Sequence, residues 1–192
     1  LVFNEADDGQ MAERVFYEAQ VQTNHEKKLE LLKKAQQLYP KHAGINSELG
    51  VLYLTLNNTG MANLYTKIAV DQAPYVGWIW LNRAKYYQSA KDLQGQYDCV
   101  DSAIKYKPIL PEAYLMRAAI FETEKLYTMS MENITIGLAM GPEPELAARL
   151  YLQKASVQKA MGFTKDAKSS YETAKMLDPF NPVIKLMASM YE

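Results

Sequence analysis

Five prolines spaced almost evenly along the chain constrain its fold more than any other feature. Pro40, Pro74, Pro108 and Pro142 stand 34 residues apart, and Pro179 follows after 37. Other residues recur in phase with them. Five positions before each proline stand Ala35, Ala69, Ala103, Gly137 and Ala174, and twenty-four before stand Phe16, Gly50, Ala84, Ala118 and Ala155. Twenty-one before come Ala19, Tyr53, Tyr87, Phe121 and Gln158, and twenty-eight before come Ala12, Asn46, Trp80, Tyr114 and Tyr151. Small residues thus recur where two backbones can approach, with aromatics about a turn away to fill the space around them. Self-similarity at this period marks a repeat architecture.

Within a unit the apolar spacing is helical. Tyr114, Ala118 and Phe121 follow i, i+4, i+7 and lie on one face. Breakers divide each unit in two: Thr-Asn-His-Glu at 23–26, Asn-Asn-Thr-Gly at 57–60, Lys-Asp-Leu-Gln-Gly at 91–95 and Met-Gly-Phe-Thr-Lys-Asp at 161–166. Thr23 and Glu26 have the spacing of a capping box. The prolines fall in the connections between units, where no amide hydrogen is needed. Each unit therefore reads as two helices joined by a turn. The apolar run Leu49 to Leu56 becomes the end of a first helix, with Gly50 at the close-contact position. It is too short to span a bilayer, which takes about 20 residues.

These marks resemble the tetratricopeptide repeat, the likeness being carried by Gly50, Trp80, Tyr87, Ala103 and Pro108. The run Gly162 to Pro182 is especially similar to the second half of such a unit. The resemblance implies an all-α fold, an α-solenoid of antiparallel helix pairs in a right-handed superhelix. It would form one domain over 1–192, with repeats at about 9–40, 43–74, 77–108, 111–142 and 145–179 and a terminal helix at 181–192. Departures are Lys28 and Ser130, where the family prefers Ala, and Gln158 in place of an aromatic. Gly-Pro-Glu-Pro-Glu at 141–145 adds three residues, and it should lengthen the following helix or widen the connection.

The resemblance also implies first helices lining a concave groove that binds a peptide or partner protein, in a non-catalytic scaffold. In this phase the groove positions are Arg14, Tyr17, Glu48, Val51, Trp78, Asn82, Lys85, Met116, Ala119, Glu122, Gln153 and Ser156. Trp78 is the bulky aromatic among them without a packing role in the repeat pattern. Asn82 and Lys85 match one repeat of the clamp that holds chaperone tail carboxylates, but Glu48 and Val51 oppose it next door. An alternative is an oligomerisation or regulatory module of a larger protein. The terminal stretch points that way, with Met187, Met190 and Tyr191 as candidate interface residues on a helix apolar on nearly all sides.

Composition restricts the chemistry. A net charge of −1 with no block of like charge argues against a nucleic-acid binder. Two histidines and one cysteine, Cys99, offer neither a clustered metal site nor a nucleophile beside a base. Neither an enzyme nor a cofactor or metal is expected. Asn57-Asn58-Thr59 and Asn133-Ile134-Thr135 match glycosylation sequons. The opening Leu-Val-Phe-Asn, without an initiator Met, reads as the start of a fragment or processed product with any targeting segment removed.

Overall fold

The computed structural model describes residues 5–191. Among these residues there is no strand. Ten helices alternate along the chain as α1 (Glu5–Gln20), α2 (His25–Leu38), α3 (Ala43–Thr55), α4 (Thr59–Gln72), α5 (Gly77–Ser89), α6 (Leu93–Tyr106), α7 (Pro111–Thr123), α8 (Tyr127–Ala139), α9 (Pro144–Ala160) and α10 (Thr164–Leu177). They pack as five consecutive pairs. A short α11 (Pro182–Leu186) and a 3-10 turn (Ala188–Met190) follow, where the sequence suggests one longer helix over 181–192. Glu192 lies outside the described residues. The helices form two compact units divided between Tyr106 and Lys107.

The turn inside each pair is closed the same way four times. Asn57, Lys91 and Lys125 have φ of +56°, +58° and +61°, and Gly162 has +85°. Their spacing of 34, 34 and 37 residues copies that of the prolines. At each, the following amide donates back to the first helix: Asn58 to Tyr53 at 2.8 Å, Asp92 to Tyr87 at 3.0 Å, Leu126 to Phe121 at 2.8 Å and Phe163 to Gln158 at 2.8 Å. The left-handed residue donates to the next carbonyl along, as Asn57 does to Leu54 at 3.0 Å. This double closure satisfies carbonyls that a helix end would otherwise orphan. The first pair differs. Its in-phase residue is Thr23, whose β-branch disfavours positive φ, and α1 instead ends in a loop one residue longer than the other turns, with Gln22 donating to Ala19 at 3.2 Å.

Four of the ten paired helices, α2, α3, α4 and α6, start on a polar side chain. Asn24, Asn58 and Asp92 accept from Lys27 at 2.9 Å, Met61 at 3.1 Å and Gly95 at 2.9 Å. Asn24 thus takes the capping role that the Thr23/Glu26 spacing suggests for Thr23, because α2 begins one residue later than that box requires. His42 caps α3, its Nδ1 accepting from Ile45 at 3.0 Å.

In the first unit, residues 5–106, the core runs through Ala12, Val15, Phe16 and Ala19 of α1, Leu32 and Ala35 of α2, Ile45, Leu49, Leu52 and Tyr53 of α3, and Ala62 of α4. At Gly50, α3 and α4 are in close contact. A Cβ there would collide with the Thr66 methyl and lie 2.9 Å from the Thr66 amide nitrogen. Helix α5 is tied to α4 by Arg83, which is 8% exposed. Its guanidinium donates to the Asn63 carbonyl at 2.9 Å, Asn63 Oδ1 at 2.7 Å and Thr66 Oγ1 at 2.9 Å, and packs 4.7 Å from the ring centres of Tyr86 and Tyr87. Neutral oxygens and aromatic faces thereby compensate a charge that would be costly to bury alone. The repeat position twenty-eight before each proline gains a second use. Asn46 donates to the Pro40 carbonyl at 2.9 Å, and Trp80 to the Pro74 carbonyl at 2.7 Å.

In the second unit, the departures from the repeat pattern are absorbed locally. Ser130 is fully buried and donates to the Ala118 carbonyl at 2.8 Å. Gln158 accepts from Ser170 at 2.7 Å, so a hydrogen bond stands where the second, third and fourth pairs place a ring. The inserted residues lengthen α9, which has 17 residues against 13 in α7, with the addition at its start. The chain end then folds back on this unit. Tyr191 stacks on Tyr171 with ring centres 4.9 Å apart, and Tyr171 donates to the Ile184 carbonyl at 2.9 Å.

Lys91 and Lys125 hold a left-handed conformation that costs a side-chain-bearing residue more than glycine. Lys91→Gly and Lys125→Gly should each stabilise the chain by roughly 0.5–1 kcal/mol. Gly162→Ala should destabilise it by a similar amount. Urea unfolding followed by circular dichroism measures all three.

Candidate functional site

In the first unit, the residues expected to face a partner fall on α1, α3 and α5. Arg14 is exposed, as is Tyr17 at 69%, while Glu48, Val51, Trp78 and Lys85 are half-buried. The structure brings Glu48 and Trp78 to one pocket of about 580 Å³, lined also by Phe16 and Gln20 of α1, by His42, Ala43 and Gly44 at the start of α3, and by Ala73, Val76 and Ile79. Glu48 also lines a smaller neighbour of about 280 Å³ with Val51, Gln22 and Lys28. Trp78 packs on the buried cluster of Ala69, Val70 and Ile79 and also forms a wall of the pocket.

Asn82 has a different position. It is 7% exposed and donates to Ser47 Oγ at 2.9 Å, joining α5 to α3, while Lys85 Nζ donates to its Oδ1 at 3.2 Å. Its polar atoms are committed within the protein.

His42 is the residue of this region that sequence reasoning missed. Its ring is held at both nitrogens, Nδ1 accepting from Ile45 and Nε2 lying 2.8 Å from Glu13 Oε1. Its edge contacts with Phe16 and Tyr39 both have centroid separations of 5.5 Å. A signal was available in His42-Ala43-Gly44. The histidine precedes a helix, and the glycine leaves room for rings. A Cβ at Gly44 would lie 2.9 Å from His42 Cε1 and 3.6 Å from Trp78 Cη2.

In the second unit, Met116 is only 5% exposed. Glu122, Gln153 and Ser156 come together instead of lying spread on a surface. Ser156 Oγ donates to Glu122 Oε1 at 2.6 Å, and Gln153 Nε2 donates to Glu122 Oε2. This cluster joins α7 to α9. At the chain end, Tyr191 points inward, 7% exposed, and Met187 packs against the same core, whereas Met190 is half exposed. The terminal residues therefore divide between two faces. The outward set is Phe180, Val183, Leu186 and Met190, exposed by 83%, 52%, 81% and 50%. Burial raises the Tyr191 phenol pKa, and the nearby Glu122 charge adds to it.

Among the described residues no group of three His, Cys, Asp or Glu is placed to hold a metal ion, and no helix is long and apolar enough to cross a membrane. Asn133 of the second sequon is buried in α8, accepting from Arg117 Nε at 2.7 Å and donating to the Met129 carbonyl at 2.7 Å. Cys99 is buried, and that burial pushes its thiol from 9.0 up to about 12. In the unfolded chain the thiol ionises near pH 9, and in the folded chain it stays protonated at that pH. Stability from this group is therefore full below pH 9 and falls as pH rises towards 12. Two measurements check this. Iodoacetamide should label Cys99 near neutral pH only after unfolding, and Cys99→Ala should show a shallower alkaline loss of stability than wild type.

No family model matches the sequence, and no curated protein matches it. Solved structures do. A thermophilic TPR protein from Thermus thermophilus matches with a TM-score of 0.73 at 15% identity, covering 97% of this chain and 98% of its own. PilW, a widely conserved type IV pilus biogenesis factor, matches at 0.77 and 14%, covering 97% and 83%. YrrB, a TPR protein with an unusual peptide-binding site, matches at 0.62 and 13%, covering 86% and 84%. The paired helices, the recurrent left-handed turns and these likenesses agree: this chain has the tetratricopeptide-repeat fold.

Proposed function

We propose that the chain is a non-catalytic protein-interaction scaffold that binds an extended peptide segment of a partner protein on the α1, α3 and α5 face of its first unit. The observation that carries the reading is the pocket between Glu48 and Trp78. It joins aromatic walls to a half-buried carboxylate, and its volume suits one or two side chains. Tyr17 and Arg14 extend the face along α1. The resemblance of the fold to a protein described as having a peptide-binding site supports the same direction. In the second unit the corresponding residues support the reading less, since Met116 is buried and Glu122, Gln153 and Ser156 bond one another.

Selection from a random-peptide display library tests this. The wild-type chain should enrich related sequences, and a Tyr17→Ala, Trp78→Ala double variant with an unchanged circular dichroism spectrum should lose about ten-fold or more in affinity for them. Failure to enrich any sequence over an empty-matrix control would overturn the proposal.

A second reading, self-association through the chain end, is favoured by one observation. Phe180, Leu186 and Met176 are 83%, 81% and 75% exposed within a short stretch, and exposed apolar residues gathered this way generally mark an interface. On this reading light scattering finds a dimer, and Leu186→Glu with Met190→Glu returns it to a monomer. A wild-type monomer at micromolar concentration would sink it.

A further inference from the structure

We propose that the pocket at Glu48 and Trp78 receives the cationic side chain, lysine or arginine, of a basic peptide; this rests on the peptide-binding reading of that face. Three rings line the pocket. Phe16 and His42 meet edge to face at 5.5 Å, and the tip of the Trp78 indole reaches the start of α3 at Gly44. Aromatic faces attract cations through their quadrupoles, and more strongly when water is excluded. Glu48 supplies the charge. It is half-buried and, among the described residues, has neither an ion-pair nor a hydrogen-bond partner. Its one cationic neighbour in the lining, Lys28, belongs to the smaller pocket on its other side and makes no ion pair with it.

His42 does not oppose a cation. An imidazole that accepts through Nδ1 carries its hydrogen on Nε2 and no charge, and that hydrogen points to Glu13. A second carboxylate thus stands behind the ring. The alternative occupants are disfavoured by the same groups. An apolar side chain would dry the Glu48 carboxylate without pairing it, which is costly. An acidic side chain would meet Glu48 directly. The preference is opposite in sign to a carboxylate clamp.

The library selection, followed by isothermal titration of one enriched peptide, tests this on the full chain. The expected result is a lysine or arginine at one fixed position. Replacing it with citrulline or glutamine should weaken binding about ten-fold. Glu48→Gln on the protein should weaken it by a similar factor. Together the two changes should cost little more than either alone, because both remove the same pair. Circular dichroism melting confirms that the variant is folded. Enriched peptides without a basic residue, or equal affinity in Glu48→Gln, would overturn the cation proposal while leaving the peptide-binding face intact. No enrichment at all would remove both.

Discussion

Each helix pair depends on a reversal of the chain that leaves few backbone groups unpaired. In four of the five pairs a left-handed residue at the turn makes this possible, since it lets two successive amides reach back to the first helix. Once that reversal is fixed, the second helix must lie along the first, and the residues at their crossing must be small. Gly50 shows how tight the crossing is, because even a methyl group would meet the Thr66 backbone. The turn and the contact reinforce each other. A turn without the contact would splay the helices, and a contact without the turn would have no fixed register.

The same economy explains how irregular residues are tolerated. Three polar side chains in core positions are satisfied by a neighbouring helix: Ser130 by a carbonyl of α7, Gln158 by Ser170 of α10, Asn82 by Ser47 of α3. Arg83 is the extreme case, with four oxygen partners, the Tyr87 hydroxyl among them, and two rings. Because a helix-pair array is built from near-neighbour contacts, a substitution need be compensated only locally. The extra turn of α9 follows the same rule, since the insertion enters at a helix start and leaves its packed end in phase.

This distribution of polar bonds also separates surface from scaffold. On the first unit, Glu48 and Trp78 retain unused chemistry towards a pocket, while the polar atoms of Asn82 are taken up by packing. On the second unit, Glu122 is occupied by Gln153 and Ser156. Residues at equivalent repeat positions thus differ in availability, and availability is what a partner can use.

The fold was legible in the sequence because its causes are local and recur. Prolines, small residues and aromatics repeat at one period, and helix, turn and contact each depend on residues within that period. The lengthened α9 was legible for the same reason, as an insertion of known size at a known phase. Helix caps were legible only to within a residue, since Thr23 and Asn24 are both competent and α2 starts on Asn24. What the sequence could not supply was the direction in which each phased side chain is committed. Tyr191 reads as an outward apolar residue on a terminal helix. It turns inward because Tyr171, twenty positions earlier, offers a ring to stack on. Asn82 and Glu48 are both phased towards the same face of neighbouring first helices. Only the packed structure shows that Ser47 pairs with Asn82, while no described residue pairs with Glu48. His42 escaped notice because its role combines a helix start, a carboxylate twenty-nine residues away and two rings, which come together only when α1 and α3 pack. Periodicity determined the backbone, and side-chain partnership across helices was decided by tertiary structure, because a hydrogen bond needs a specific atom where a repeat needs only a size.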